Sequence, residues 1–270
     1  MVDLRSRILD YTADFAPDDP YMPPDADERE DIAAGVGSLL DGDAAEAERI
    51  LAPLGLGVTR LTDTDSGRRY DEIAALRKDG KAARWGRLYL TADSAIRWNV
   101  QVPHPVSDRD TEALGVRLLE DAPSGSLVVA GAHRRAGRGD RGDVAHREDS
   151  AFHTVVVELQ KRGVPGLQLH GFAESSERPY DAIVSGGAGQ TASGEATALA
   201  DRLDSDGLRV CRGWQARCPL EGTTNVQGRS AERHHAGFLH VELAPDARDG
   251  RDADETEDAL IDVLTTWSDD

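Results

Sequence analysis

Histidine is missing from the first hundred residues of this chain: all eight lie between His104 and His240. Other residue types are scarce throughout. Of the 270 residues only two are cysteine, Cys211 and Cys218, and the six residues between them in RVCRGWQARCP match neither a CxxC redox pair nor the halves of a zinc knuckle. The expectation is a pair of free thiols in a reduced compartment. Lysine is confined to Lys78, Lys81 and Lys161, whereas Asp and Glu together number 50 against 31 Lys and Arg, a formal charge of −19. A surface of that sign repels phosphate backbones, which argues against nucleic acid and anionic membranes as partners. An acidic, lysine-poor composition fits a salt-rich cytoplasm, where carboxylates keep a surface hydrated; a high-GC coding bias is its other source. The longest apolar runs, such as SLVVAGA, fall far short of the roughly 18 to 20 residues of a membrane span, and MVDLRSRILD lacks an apolar signal core. A cytoplasmic location follows as an expectation.

What is there reads as α/β: a mixed, largely parallel sheet flanked by helices, with a helical N-terminal segment over residues 1–84 packed on a core of residues 85–270. DADEREDIAAGVGSLL and DAAEAERILAPL carry apolar residues at helical spacing, after a proline-rich lead-in. RLYL and IRWNVQV then read as a strand pair, after which strands alternate with helices such as SAFHTVVVELQKRG, and ADETEDALIDVLTTW forms a closing amphipathic helix. The acidic stretch from Asp246 to Glu257 reads as a solvated loop.

The histidines recur in or just beyond the strands. In NVQVPHPVSDRDTE, alternation delivers His104 at a strand end, with Asp108 and Glu112 four and eight residues on. One histidine with one of those carboxylates is half of a zinc site, though Asp108 could equally cap a helix. GLQLHGF offers His170 as the other half, on the strand face that also carries Gln168. In GFLHVELA a period of two puts His240 and Glu242 on one face, where Glu242 can serve as general base and His240 can orient it, or the two can be a structural pair. The glycine-rich loop AGAHRRAGRGDRGDVAHREDS holds His133, Arg134 and His146, and EGTTNVQGR holds Asn225 and Arg229, as substrate contacts, with Arg134 suited to a carboxylate. IVSGGAG could bring backbone amides to a substrate but carries no nucleophile-elbow or P-loop pattern.

Taken in order, PHPVSDRDTE, AGAHRR, DVAHREDSAFH, LQLHGF, VSGG, TTNVQGR and FLHVEL resemble a poorly characterised prokaryotic branch related to the N-formylglutamate amidohydrolases and, more remotely, to zinc carboxypeptidase-like and succinylglutamate desuccinylase-like enzymes. The resemblance spans roughly residues 85 to 245. It implies a phosphorylase/hydrolase-like core, one zinc per chain held by two histidines and a carboxylate, and hydrolysis of an amide in a small acyl-amino acid or peptide. On matching positions His104 and His170 correspond to the metal histidines, Asp108 or Glu112 to the metal carboxylate, and Glu242 to the acid of the last strand. The carboxypeptidase-like HxxE spacing is absent, because Ser107 stands where its glutamate would be. Two other readings compete: a ligand- or partner-binding domain of the same fold without catalysis, and a metal-free hydrolase using Ser150 or Ser185 beside His146 or His170.

Overall fold

Acidic and hydroxyl side chains start most of the helices. Asp3, Asp25, Asp43, Ser150, Ser193 and Asn225 each accept a hydrogen bond from a backbone N–H in the first turn of the helix that follows, and Asp25 closes a capping box with Glu28. The computed structural model describes residues 1–173, 179–188 and 193–269. In chain order its elements are α1 (Leu4–Thr12), α2 (Ala26–Leu40), α3 (Ala44–Leu51), β1 (Leu56–Thr62), β2 (Arg69–Ala75), β3 (Arg87–Thr91), β4 (Trp98–Val102), α4 (Thr111–Asp121), β5 (Gly125–Val129), α5 (Ala151–Gln160), β6 (Gly166–Gly171), β7 (Ala182–Ser185), α6 (Gly194–Ser205), β8 (Val210–Arg212), α7 (Val226–His234), β9 (Phe238–Leu243), α8 (Pro245–Asp249) and α9 (Ala253–Asp269).

All nine strands form one mixed sheet in the order β1-β2-β3-β5-β4-β6-β9-β7-β8. Its centre, β5-β4-β6-β9, is parallel, and antiparallel pairings join β1, β2 and β3 on one side and β7 on the other. Helices cover both faces. One face carries α1, α4, α6, α8 and α9, the other α2, α3, α5 and α7. The central strands are buried on both faces, as parallel strands under two helical layers must be. Trp98, fully buried in β4, also donates its indole N–H to the Pro123 carbonyl at 2.8 Å.

Four expectations need correction. Residues 56–62 and 69–75 are strands rather than helix, so the N-terminal segment contributes to the sheet as well as covering it. β3 and β4 are not paired with each other, since β5 lies between them. Residues 245–249 fold as a short helix with Arg248 buried, not as a solvated loop. Cys211 and Cys218 are bonded to each other, because the turn between them brings their Cα atoms to 6.0 Å, a separation a disulfide spans. Among the described residues no helix is long and apolar enough to cross a membrane.

The connectivity fixes where a ligand can sit. From β4 the chain passes through α4 to β5 on one side, and from β5 through α5 to β6 on the other side of β4. The carboxyl ends of β4 and β6 therefore diverge at a topological switch point, the place where open α/β sheets hold ligands.

Candidate metal centre

His104 follows β4 by two residues and His170 is the fifth residue of β6, so the switch point brings both imidazoles together, their ring centroids 5.0 Å apart. A tight turn after His104, in which the Asp108 N–H donates to the His104 carbonyl at 3.0 Å, folds the Asp108 side chain back over the strand ends. Val106 in that turn has φ 65°, a backbone strain for a β-branched residue. Its N–H donates to Glu112 Oε1 at 3.1 Å. Glu112 thus braces the turn and stands outside the histidine cluster, and Asp108 is the carboxylate that meets the imidazoles.

Asp108 Oδ2 lies 3.1 Å from His104 Nδ1 and 3.0 Å from His170 Nδ1. The other nitrogen of each ring is engaged from behind: His104 Nε2 lies 2.8 Å from Asp143 Oδ1, and His170 Nε2 lies 2.8 Å from Gln168 Oε1. Acceptors behind the rings are the usual companions of metal-binding histidines, because they hold the proton on the far nitrogen and leave the near one basic. The carboxylate oxygen lies from each imidazole nitrogen at close to the ~3.3 Å that tetrahedral zinc with bonds near 2.0–2.1 Å requires, and all three atoms lie within 4.8 Å of one another. A neutral His170 with its proton on Nε2 turns an electron pair toward an ionised carboxylate, an arrangement that a cation between them resolves. On donor type, spacing and charge, these residues fit a zinc ion.

The electrostatics agree with a cation-seeking cluster. Burial raises the Asp108 carboxyl, but the imidazoles of His104 and His170 beside it outweigh that and hold the group well below the carboxylate range. Asp143 behaves the same way, with His104 and His146 as its partners. Burial lowers His104, and Asp108 and Asp143 more than restore it, so its net shift is upward; in His170 burial prevails and the shift is downward.

The cluster opens on a cavity of about 920 Å³. His104, His170, Arg134, His146, Asn225, His240 and Glu242 line it on the sheet side, and the segment from Gly213 to Thr224 forms its far wall. In β9 the strand register sets Glu242 opposite His170 and His240 opposite Gln168. His240 stacks on His170 at 4.5 Å between centroids, and its Nδ1 is buried without a hydrogen-bond partner among the described residues. Burial first, then the neighbouring His170 and His104, push its pKa far down, so it stays neutral at physiological pH. Gly222, at φ 66°, lets the wall touch this ring, since a Cβ there would lie 2.4 Å from His240 Cδ2. His170, His240 and Glu242 make a second group of closely spaced donor atoms that shares His170 with the first.

Arg134 lines the cavity and donates to Asp143 Oδ2 at 3.3 Å. His146 lines it too, with Nδ1 3.1 Å from Asp143. Asn225 caps α7 and donates to Gln168 Oε1. His133 and Arg229 are not among the described residues that line the cavity: His133 Nδ1 accepts from the Arg135 N–H at 3.1 Å, and Arg229, on an exposed face of α7, donates to the Thr223 carbonyl. The IVSGGAG turn is described up to Ala188, and Gly189 lies outside the described residues. Ser150 and Ser185 are hydrogen-bonded elsewhere: Ser150 Oγ donates to the Arg147 carbonyl at 3.1 Å and Ser185 Oγ to the Glu221 carbonyl at 2.7 Å. Asp143 and Gln168 are the site residues that the sequence did not single out.

No family model matches the sequence, and no curated protein matches it. Solved structures do. A structure described as zinc-free YNDL is 15% identical with a TM-score of 0.45, covering 73% of this chain and 95% of its own. The succinylglutamate desuccinylase of Chromobacterium violaceum is 14% identical with a TM-score of 0.45, covering 86% of this chain and 73% of its own. The corresponding protein of Vibrio parahaemolyticus is 14% identical with a TM-score of 0.44, covering 78% and 67%. At identities and TM-scores this low, what those proteins act on does not transfer to this chain.

Proposed function

We propose that the protein is a zinc-dependent hydrolase of amide bonds, with one ion per chain and a small acyl-amino acid or short peptide as substrate. The observation that carries this reading is the meeting of His104 Nδ1, Asp108 Oδ2 and His170 Nδ1 beside a cavity that His104, His170 and Glu242 line. His104, Asp108 and His170 would hold the ion. Bound there, zinc supplies Lewis acidity, polarising a scissile carbonyl and lowering the pKa of water.

The remaining chemistry belongs to side chains. Glu242, buried in β9 and lining the cavity, takes a proton from the attacking water and delivers it to the leaving amine. His240, neutral and stacked beside the metal histidine, keeps a second positive charge away from that proton path. Arg134 donates to Asp143 and stands 3.7 Å from Asp108 Oδ1, and its guanidinium has further N–H groups to offer a substrate carboxylate in the cavity. The volume of the cavity suits a substrate of a few residues.

Elemental analysis of the purified protein beside His104→Ala and His170→Ala tests the reading. Near-stoichiometric zinc that falls in both folded variants, with release of free amine from a panel of acyl-amino acids and dipeptides, is the expected result. Absence of metal after reconstitution with zinc would sink it.

A further inference from the structure

Behind the candidate metal centre four amide side chains, Gln101, Gln168, Asn225 and Gln227, lie in contact and are at most 1% exposed. Burying an amide without partners costs roughly 1–3 kcal/mol, so a cluster of them persists only where the hydrogen bonds close. Around Gln168 they close completely. Its Oε1 accepts from His170 Nε2 at 2.8 Å and from Asn225 Nδ2. Its Nε2 donates to Gln101 Oε1 at 3.0 Å and to Gln227 Oε1 at 3.3 Å. Two donors and two acceptors are all that a primary amide possesses.

This full set fixes which way the amide points. Exchanging its oxygen and nitrogen would set an NH₂ group against the Asn225 NH₂ and turn two carbonyl oxygens on a third. The outer partners are themselves tied down: Gln227 Nε2 donates to the Val144 carbonyl at 2.9 Å, and Asn225 Oδ1 accepts from the Gly228 N–H at 2.9 Å as the cap of α7. Because Gln168 can present only an acceptor to His170, the neutral imidazole must carry its proton on Nε2, which leaves the electron pair of Nδ1 turned toward Asp108.

We propose that Gln168 is a positioning residue that fixes the Nε2–H tautomer of His170 and so readies Nδ1 as a metal ligand. The consequence for metal affinity rests on the zinc reading above; the tautomer does not. Long-range ¹H–¹⁵N spectra of the histidine rings in the metal-free protein, with zinc affinity measured by chelator competition, test both parts.

The wild type is expected to hold His170 as the single Nε2–H tautomer. Gln168→Leu loses that preference and binds zinc about 10- to 100-fold more weakly. Gln168→Glu still accepts from the imidazole and keeps the wild-type tautomer and affinity within a few-fold, although it breaks the bonds to Gln101 and Gln227; a merely structural role would weaken both variants alike. Should Gln168→Leu fail to fold, Gln168→Met removes the acceptor with a side chain of similar length. A wild-type His170 protonated on Nδ1, or equal effects of the Leu and Glu variants, overturns the proposal. A wild type with the Nε2–H tautomer, lost in Gln168→Leu, that binds no zinc upholds the positioning role and overturns the metal reading instead.

Discussion

Asp143 Oδ1 accepts a hydrogen bond from His104 Nε2 at 2.8 Å, although 39 positions separate the two residues in sequence. The carboxylate also faces His146 and Arg134, so one side chain of the glycine-rich loop anchors that loop to the back of the site. Asp143→Ala is expected to lower zinc affinity about 10- to 100-fold, and Asp143→Asn, which keeps an acceptor, to lower it less. Chelator competition on the two folded variants measures the difference.

The disulfide closes a short loop from β8 into the wall of the cavity, its cysteines seven positions apart in sequence. Constraining a loop of that length in the unfolded chain stabilises by roughly 2–3 kcal/mol. Cys211→Ser/Cys218→Ser should therefore melt at a lower temperature than the wild type, and treatment with a reductant should move the wild type toward the double variant and leave the variant unchanged. Calorimetry with and without reductant checks it.

His153 in α5 is buried, and that burial pushes its pKa down from 6.5 to about 4. The folded value lies below the unfolded one, so between about pH 6.5 and 4 the unfolded chain binds more protons. Stability from this group is complete above that window and falls as pH drops through it, by on the order of 3 kcal/mol in all. Glu120, pushed up to about 7 by burial and then by Asp63 and Asp65, works in the opposite sense. The comparison is accordingly between proteins: His153→Asn should lose less stability than the wild type between pH 7 and pH 5, as read from urea melts.

A Cβ added at Gly125 would lie 2.0 Å from Cη2 of Trp98, a fully buried side chain with no room to withdraw. Gly125→Ala should cost about 1–3 kcal/mol through overpacking, without altering zinc content. Urea denaturation and metal analysis of the same preparation separate the two effects.

The pattern of apolar residues was enough to find α2, α3, α5, α9 and the strands that carry the histidines, because buried faces of that kind recur at a fixed period. β1 and β2 escaped it. Their sequence, LGVTRLT and RYDEIAA, mixes charge with apolar residues, and the Arg60–Asp71 pair at 2.7 Å that joins them is visible only once the strands are paired. The neighbours of β3 could not be read either, since sheet order follows from crossovers rather than from adjacency in the chain. His104, Asp108 and His170 were legible from strand ends and spacing. In sequence Glu112 is equivalent to Asp108 if a helix starts near Asp108, whereas the helix starts at Thr111 and the turn before it sends the two carboxylates different ways. Asp143 sits among the arginines and glycines of a loop, and in sequence Gln168 is marked only by sharing a strand face with His170. Both act through long-range contacts that no local period encodes.

The sheet ends at β8, a strand of only three residues, Val210–Arg212. A free strand edge is a template on which other chains can assemble, and a short one offers few backbone groups to match. Here the chain turns away after Arg212 toward the cavity, with Cys211 tied to Cys218 across the turn, and Arg212 carries a charge that pairs with Asp201 on α6. The shortness of β8 and the charge it carries thus leave this end of the sheet a poor template for edge-to-edge assembly.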